Sequence, residues 1–195
     1  MLKADLRKEY LARREALSNS EIDFCNDSIT QHFQSLDLDK VRYLHCFLPI
    51  VAKKEIDTSL ILNYVWDNYP GLQVVVPVAV FSTKEMFHVP IGKQTPILIN
   101  KWGIHEPIVN NPIPSQEIDM VLVPLLAADR LGHRVGYGAG FYDRFLSQVK
   151  PETKVIGLSQ FPLLNVEITD VLETDIPLGA IITPEGISYF NSGSN

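Results

Sequence analysis

Residues 129–146 read DRLGHRVGYGAGFYDRFL, and they concentrate the chemistry-bearing types of the chain. Gly136, Gly138 and Gly140 alternate, and Phe141, Phe145, Leu146 and Val149 follow with the spacing of an apolar helical face. A glycine-rich coil running into a helix lets a ligand approach the backbone amides, and a helix start offers unpaired N–H groups and partial positive charge. That combination suits a phosphate. Arg130, Arg134, Arg144 and His133 make the stretch locally basic in a chain of formal net charge −6, so an anionic ligand is expected. Asp143 would repel a bare phosphate. A Mg²⁺ ion between them removes the conflict, because Mg²⁺ takes one or two carboxylates together with phosphate oxygens. The stretch reads as a site for a Mg-bound nucleoside triphosphate.

Two better-known phosphate motifs are excluded. No G-K-[ST] is present, and Phe141 stands where G-x-G-x-x-G needs its third glycine. Gly136 also lies too far beyond Pro124, the expected end of the preceding strand, for the tight first turn of a dinucleotide fold. The loop by itself also suits a phosphate-binding α/β enzyme that does not use ATP, of the sugar-phosphate isomerase kind, or a non-catalytic nucleotide-binding module. It even suits a plain connection. Other chemistries lack their residues: the five histidines show no zinc-ligand spacing, no G-x-S-x-G elbow exists, and neither Cys25 nor Cys46 has an evident partner base.

The elements that must position this loop follow from composition and periodicity. A chain of 195 residues, 46% hydrophobic, is expected to form one domain over residues 1–195 and to bury roughly 70% of its unfolded surface. Two cysteines without pairing or metal spacing are expected to be reduced thiols in a cytoplasmic protein. The charged N-terminus reads as helix, not as a secretory segment, and no apolar run approaches the ~18 residues of a membrane span. The acidic balance argues against a nucleic-acid surface.

In chain order, residues 3–17 form an amphipathic helix whose cations Lys3, Arg7, Arg13 and Arg14 read as a solvated face. Ser18 and Glu21 form a capping box for a second helix through Leu36. A strand spans Val41 to Phe47, and a helix capped at Asp57 or Thr58 carries Leu60, Ile61, Tyr64 and Val65. Glu55, between them, is either a surface charge or a hydrogen-bond acceptor for a substrate. Strands are expected at 73–78 and, shorter, from Met86 to Val89. Residues 92–117 make a long irregular passage in which Trp102 either covers a heterocycle or packs the loop down. Strands at 119–124, 154–158 and 180–183, and a last one at 187–190 reached through a hairpin, complete the sheet; 191–195 is a polar tail. Asp170 and Asp175 are either turn residues or within reach of a metal near Asp143. The fold class is therefore α/β: a single three-layer αβα domain with a largely parallel central sheet.

The segments 123–129 and 132–144 together strongly resemble the signature of 5-formyltetrahydrofolate cyclo-ligases, also called methenyltetrahydrofolate synthetases. Lys3-Ala4-Asp5-Leu6-Arg7 resembles that family's nucleotide-contacting segment, Lys53 to Thr58 its folate-side motif, 102–107 its central loop, and 175–178 its late aspartate segment. Leu125, Ala128, Phe141 and Gly179 depart from the common pattern. Ala139 stands where some members carry lysine, which shifts phosphate charge onto Arg134, the loop amides and the metal.

The resemblance implies an enzyme that uses ATP and Mg²⁺ to convert 5-formyltetrahydrofolate, possible also as a polyglutamate, into 5,10-methenyltetrahydrofolate with release of ADP and phosphate. It implies that Arg134, Val135, Gly136, Tyr137, Gly138, Ala139, Gly140, Phe141 and Tyr142 wrap the nucleotide phosphates with Lys3 to Arg7 opposite. Arg134 and Tyr142 are the catalytic candidates and Asp143 and Asp175 the metal ligands. Glu55 accepts from pterin N–H groups, and Ile50, Trp102 and Tyr142 wall the ring. A monomer or weak homodimer is expected, with no nucleic-acid or membrane partner.

Overall fold

The computed structural model describes residues 1–100, 103–108 and 111–190; Trp102, Asn110 of the paired asparagines, and the tail 191–195 lie outside them. Helix α1 (Lys3–Ala16) carries the first amphipathic pattern. Helix α2 (Asn19–Phe33) starts at the expected capping box, with the Ser18 and Glu21 side chains each bonding the other's backbone N–H; a cap of this kind contributes about 1 kcal/mol. Helix α3 (Ser59–Asn68) begins after Thr58, but the Thr58 hydroxyl donates to Phe47 O at 2.7 Å, while Asp57 Oδ1 accepts from Ser59 N at 2.9 Å. Of the two cap candidates, the aspartate makes the capping bond.

Seven strands form the main sheet: β1 (Tyr43–His45), β2 (Gln73–Val80), β3 (Glu85–Ile91), β6 (Met120–Pro124), β9 (Lys154–Leu158), β10 (Ala180–Thr183) and β11 (Gly186–Tyr189). Their order is β11-β10-β9-β6-β1-β2-β3. The five inner strands pair in parallel, and β3 and β11 are antiparallel edges. Alternation along each strand divides the core between the two faces. Leu44, Cys46, Val74, Val76, Leu122 and Ile182 meet α2 and α3 through Ile29, Phe33, Ile61 and Val65. On the other face Val75, Val121, Val123, Val155 and Ile181 meet Phe145 and Leu146 of α4 (Phe141–Leu146). The result is a mixed α/β sheet with helices on both sides, as the alternating elements require.

Several bounds differ from expectation: β1 covers only Tyr43–His45 of the expected 41–47, α2 ends at Phe33 short of Leu36, and β3 runs from Glu85 to Ile91 rather than from Met86 to Val89. The passage 92–117 contains a two-stranded hairpin of β4 (Ile97–Ile99) and β5 (His105–Pro107). Helix α4 is only six residues long, so Val149 lies beyond it; Pro151 disfavours helical backbone at Lys150 and closes the segment.

Candidate active site

The chain enters the sheet at β1, proceeds to β2 and β3, and returns to the other side at β6. The connections leaving the carboxyl ends of β1 and β6 therefore diverge, which opens a crevice where open α/β sheets take ligands. The glycine stretch follows β6, and Glu55 follows β1. Both sit at this crevice.

The glycine stretch is held from below by a buried carboxylate. Asp129 is fully buried and accepts from the N–H groups of Leu131 and His133 and of Ile168, each at 3.0 Å, and from His133 Nδ1 at 3.1 Å. Around it a short ladder of β7 (Ala127–Ala128) and β8 (Arg134–Val135) turns the chain back over the sheet. Beyond β8, Gly138 takes a φ of 88°, and a Cβ there would lie 3.0 Å from the Arg7 guanidinium carbon. The positive φ favours glycine, and a side chain there would also have to displace the end of Arg7. Arg7 Nε in turn donates to Gly136 O at 2.8 Å, tying α1 to the loop. Gly136 itself has neither positive φ nor a crowding neighbour. A six-residue α4 with no side-chain cap supplies little macrodipole, so the expected helix-start contribution is small, and the charge beside the loop comes from side chains.

Those side chains form two ion pairs lining one small cavity with His133, Ile176 and Pro177. Arg134 Nη2 donates to Asp143 Oδ1 at 2.5 Å, and its other terminal nitrogen donates to Ile176 O. The Arg134 side chain is 8% exposed; burial draws its pKa down, while Asp143 and Asp175 oppose the shift. Lys3 pairs with Asp175, whose Oδ2 also accepts from Leu172 N at 2.6 Å. Burial raises the Asp175 pKa, but Lys3 and the amide outweigh it and hold the carboxyl below its usual range. Asp170 has a different part: its Oδ1 accepts from Lys3 N at 2.8 Å and so anchors the start of α1.

Across the crevice Glu55 is 8% exposed, with Oε2 accepting from Ile50 N at 2.7 Å and Oε1 from the Tyr137 hydroxyl at 2.6 Å. Arg14, 4% exposed, donates to the Tyr137 hydroxyl at 3.1 Å and to Leu125 O at 2.5 Å. The solvated-face reading of α1 fails for this residue: its two terminal nitrogens are bound to Leu125 and Tyr137, while its Nε has no partner among the described residues. Tyr142 is half-buried, its ring centroid 6.0 Å from His45 and 6.2 Å from Phe145, and its hydroxyl has no partner among the described residues. Burial pushes that phenol well above its ordinary range. Burial also raises the Cys46 thiol to about 12, so this neighbouring cysteine supplies no thiolate.

The architecture has known counterparts. The model of the 5-formyltetrahydrofolate cyclo-ligase family matches residues 1–184. The chain belongs to this family. It is 34% identical over 137 residues to the 5-formyltetrahydrofolate cyclo-ligase of Escherichia coli K12, covering 68% of this chain and 74% of that one. It is 42% identical over 163 residues to the protein of the same name from Mycoplasma genitalium, covering 80% and 84%. The solution structure of Aquifex aeolicus 5,10-methenyltetrahydrofolate synthetase superimposes with a TM-score of 0.78 at 25% identity, covering 100% and 96%.

Among the residues expected from the cyclo-ligase resemblance, the structure brings Lys3, Arg134, Asp143 and Asp175 together and sets Ile50 and Glu55 with Tyr137. Ala4 and Asp5 are exposed on α1, whereas Leu6 is 1% exposed and packs in the core with Tyr10 and Leu126. Val135 is likewise core, so its part in the loop is its backbone. Ala139 is exposed, and Phe141 packs edge-to-face on Phe81 at 5.6 Å. Arg14 and Asp129 went unrecognised in the sequence. The first lies among acidic neighbours that mimic a surface face; the second has only a turn residue's signature.

The carboxylates suit a hard cation. Asp143 uses Oδ1, and Asp175 uses Oδ2, for the bonds described, leaving one oxygen of each outside them. Among the described residues no group of three or more His, Cys, Asp or Glu side chains is gathered as a metal cage. Mg²⁺ bound through one or two carboxylates completes its octahedron with phosphate and water oxygens, so the donor set fits.

Proposed function

We propose that this protein converts 5-formyltetrahydrofolate to 5,10-methenyltetrahydrofolate with ATP and Mg²⁺. The observation that supports this best is the pairing of two differently built loops at one crevice: a glycine loop flanked by Arg134, Lys3, Asp143 and Asp175, and opposite it a buried carboxylate, Glu55.

A formamide oxygen is a poor leaving group and must first be activated. The γ-phosphoryl group of ATP passes to the formyl oxygen, and ADP departs. N10 then attacks the formyl carbon, the carbon–oxygen bond breaks with release of phosphate, and the N10 proton is lost. Such a transfer depends on positioning and charge stabilisation rather than on a protein nucleophile. Arg134 places its buried guanidinium where charge develops on the phosphoryl oxygens. Lys3 and Arg7 hold the nucleotide from α1, and the amides from Val135 to Phe141 line its phosphates. Asp143 and Asp175 are the residues that would hold Mg²⁺, which would supply positive charge to the phosphates when bound. Glu55 accepts from the pterin N–H groups, and Ile50 and Tyr142 border the ring. Polyglutamylated folates share the same reacting end.

The test is the near-ultraviolet absorbance of the methenyl product, followed with the full chain and 5-formyltetrahydrofolate. Signal that requires both ATP and Mg²⁺ is expected. Product formed without ATP, or bound nucleotide with no product, overturns the reading.

A further inference from the structure

Tyr137 belongs to the glycine loop by backbone, yet its side chain leaves the loop and is gripped from elsewhere. Its hydroxyl donates to Glu55 Oε1 at 2.6 Å and accepts from Arg14 Nη1 at 3.1 Å. The Lys53 ammonium lies 4.4 Å above its ring centroid. Three elements thus converge on one phenol: α1 through Arg14, the connection after β1 through Lys53 and Glu55, and the loop that carries it. Tyr137 is 38% exposed, so burial of its ring does not by itself explain the arrangement.

A phenol has one proton to give, and this one is given to Glu55. With the Ile50 amide on Oε2, both carboxylate oxygens are fixed from the protein side, and each retains acceptor capacity toward a ligand. The plane of the carboxylate is then set by where the glycine loop holds residue 137. Arg14 reaches the carboxylate only through the phenol: its Nη1 donates to the Tyr137 hydroxyl, while its Nη2 is bound to Leu125 O at 2.5 Å.

We propose that Tyr137 is a positioning residue that couples the two substrate sites, aligning the Glu55 carboxylate for a folate ring when a triphosphate occupies the glycine loop. This rests on the reading of Glu55 as the pterin acceptor and of the loop as the phosphate cradle. Coupling between sites is reciprocal, so folate bound at Glu55 steadies the loop for nucleotide by the same factor.

The experiment is calorimetric titration of the full chain with 5-formyltetrahydrofolate, with and without a non-hydrolysable ATP analogue and Mg²⁺. In the unmodified protein the nucleotide is expected to tighten folate binding by at least about fivefold. Tyr137→Phe, which keeps the ring and the Lys53 contact, is expected to reduce that factor to less than about twofold, with thermal melting confirming the fold. In a Glu55→Gln background, Tyr137→Phe is expected to change the coupling no further, an outcome that simple loss of packing does not produce. Coupling that is absent from the unmodified protein, or that survives in Tyr137→Phe, overturns the proposal. Failure of 5-formyltetrahydrofolate to bind under either condition overturns the proposed function instead.

Discussion

The connections leaving β6 and β1 lie side by side and treat charge in opposite ways. After β6, Arg134 and Asp143 are partners, Lys3 and Asp175 are partners, and the backbone between is opened by glycine. After β1, a single carboxylate is withdrawn from water, and among the described residues its oxygens are met by an amide and a phenol and by no cation. Paired charges are the sensible store of cations for a polyanion, because each carboxylate keeps its partner placed until phosphate arrives. A carboxylate held by neutral donors keeps its charge for a neutral heterocycle with N–H groups. Under the proposed function, the difference between the loops corresponds to the difference between a polyanion and a neutral heterocycle.

Removing the buried guanidinium should have the largest effect. Arg134→Ala is expected to lower turnover by roughly 100-fold or more, from loss of about 3 kcal/mol of transition-state stabilisation. It also strands Asp143 Oδ1 with only the Ile176 amide at 3.2 Å. Unchanged turnover would make the β6 connection a scaffold rather than a charge store and erase the contrast.

The floor beneath both loops has its own pH signature. His45 and His88 have ring centroids 5.2 Å apart and both pack on Phe145. Burial lowers the His88 pKa from 6.5 to about 4 and carries His45 well below its ordinary value. A histidine with a depressed folded-state pKa stays neutral in the fold but takes a proton in the unfolded chain below 6.5. The unfolded state then binds more protons, so stability is fully present above that pH and falls as pH drops toward 4. Between pH 7 and pH 5, His88 alone is expected to cost on the order of 2 kcal/mol. Urea unfolding at the two pH values should show a smaller pH difference in His88→Gln than in the unmodified chain, and equal differences would refute the assignment.

Much of this plan was legible in the residues. Ser18 and Glu21 announced α2 because a capping box is a local device, and the apolar run 120–123 announced a strand. The glycine spacing and its basic neighbours drew attention to the loop after β6, and the phosphate reading of that loop is part of the proposed function. What stayed hidden depends on partners distant in the chain. Arg14 is buried by Leu125 and Tyr137, and no helical periodicity reports that. Glu55 carried two readings until its burial was visible. The β4–β5 hairpin lay within a proline-rich passage, and its exposed Ile97, Leu98 and Ile99 lack the alternation that marks a half-buried strand.

On the β1 side the charge of Glu55 can be removed with its shape kept. Glu55→Gln is expected to raise the KM for 5-formyltetrahydrofolate about tenfold, near the value of one charged hydrogen bond, and to raise the ATP KM less. The reverse order would assign Glu55 to the nucleotide and exchange the roles of the two loops.

The smallest effect is expected at the seam. Lys53 and Glu55 belong to one connection, yet the ammonium goes to the face of Tyr137 while the carboxylate goes to its hydroxyl. The lysine is exposed, and a cation over an aromatic face in such a place contributes about 0.5–1 kcal/mol. Lys53→Ala should therefore raise the folate KM by roughly two- to fivefold, less than Glu55→Gln, while Lys53→Arg, which keeps a cation able to stack on the ring, should stay near the unmodified value. Steady-state kinetics on the three variants decides the matter. If Lys53→Ala matched or exceeded Glu55→Gln, the ammonium would be acting on the ligand directly, and the β1 connection would be a second basic site rather than a neutral pocket with one buried acceptor.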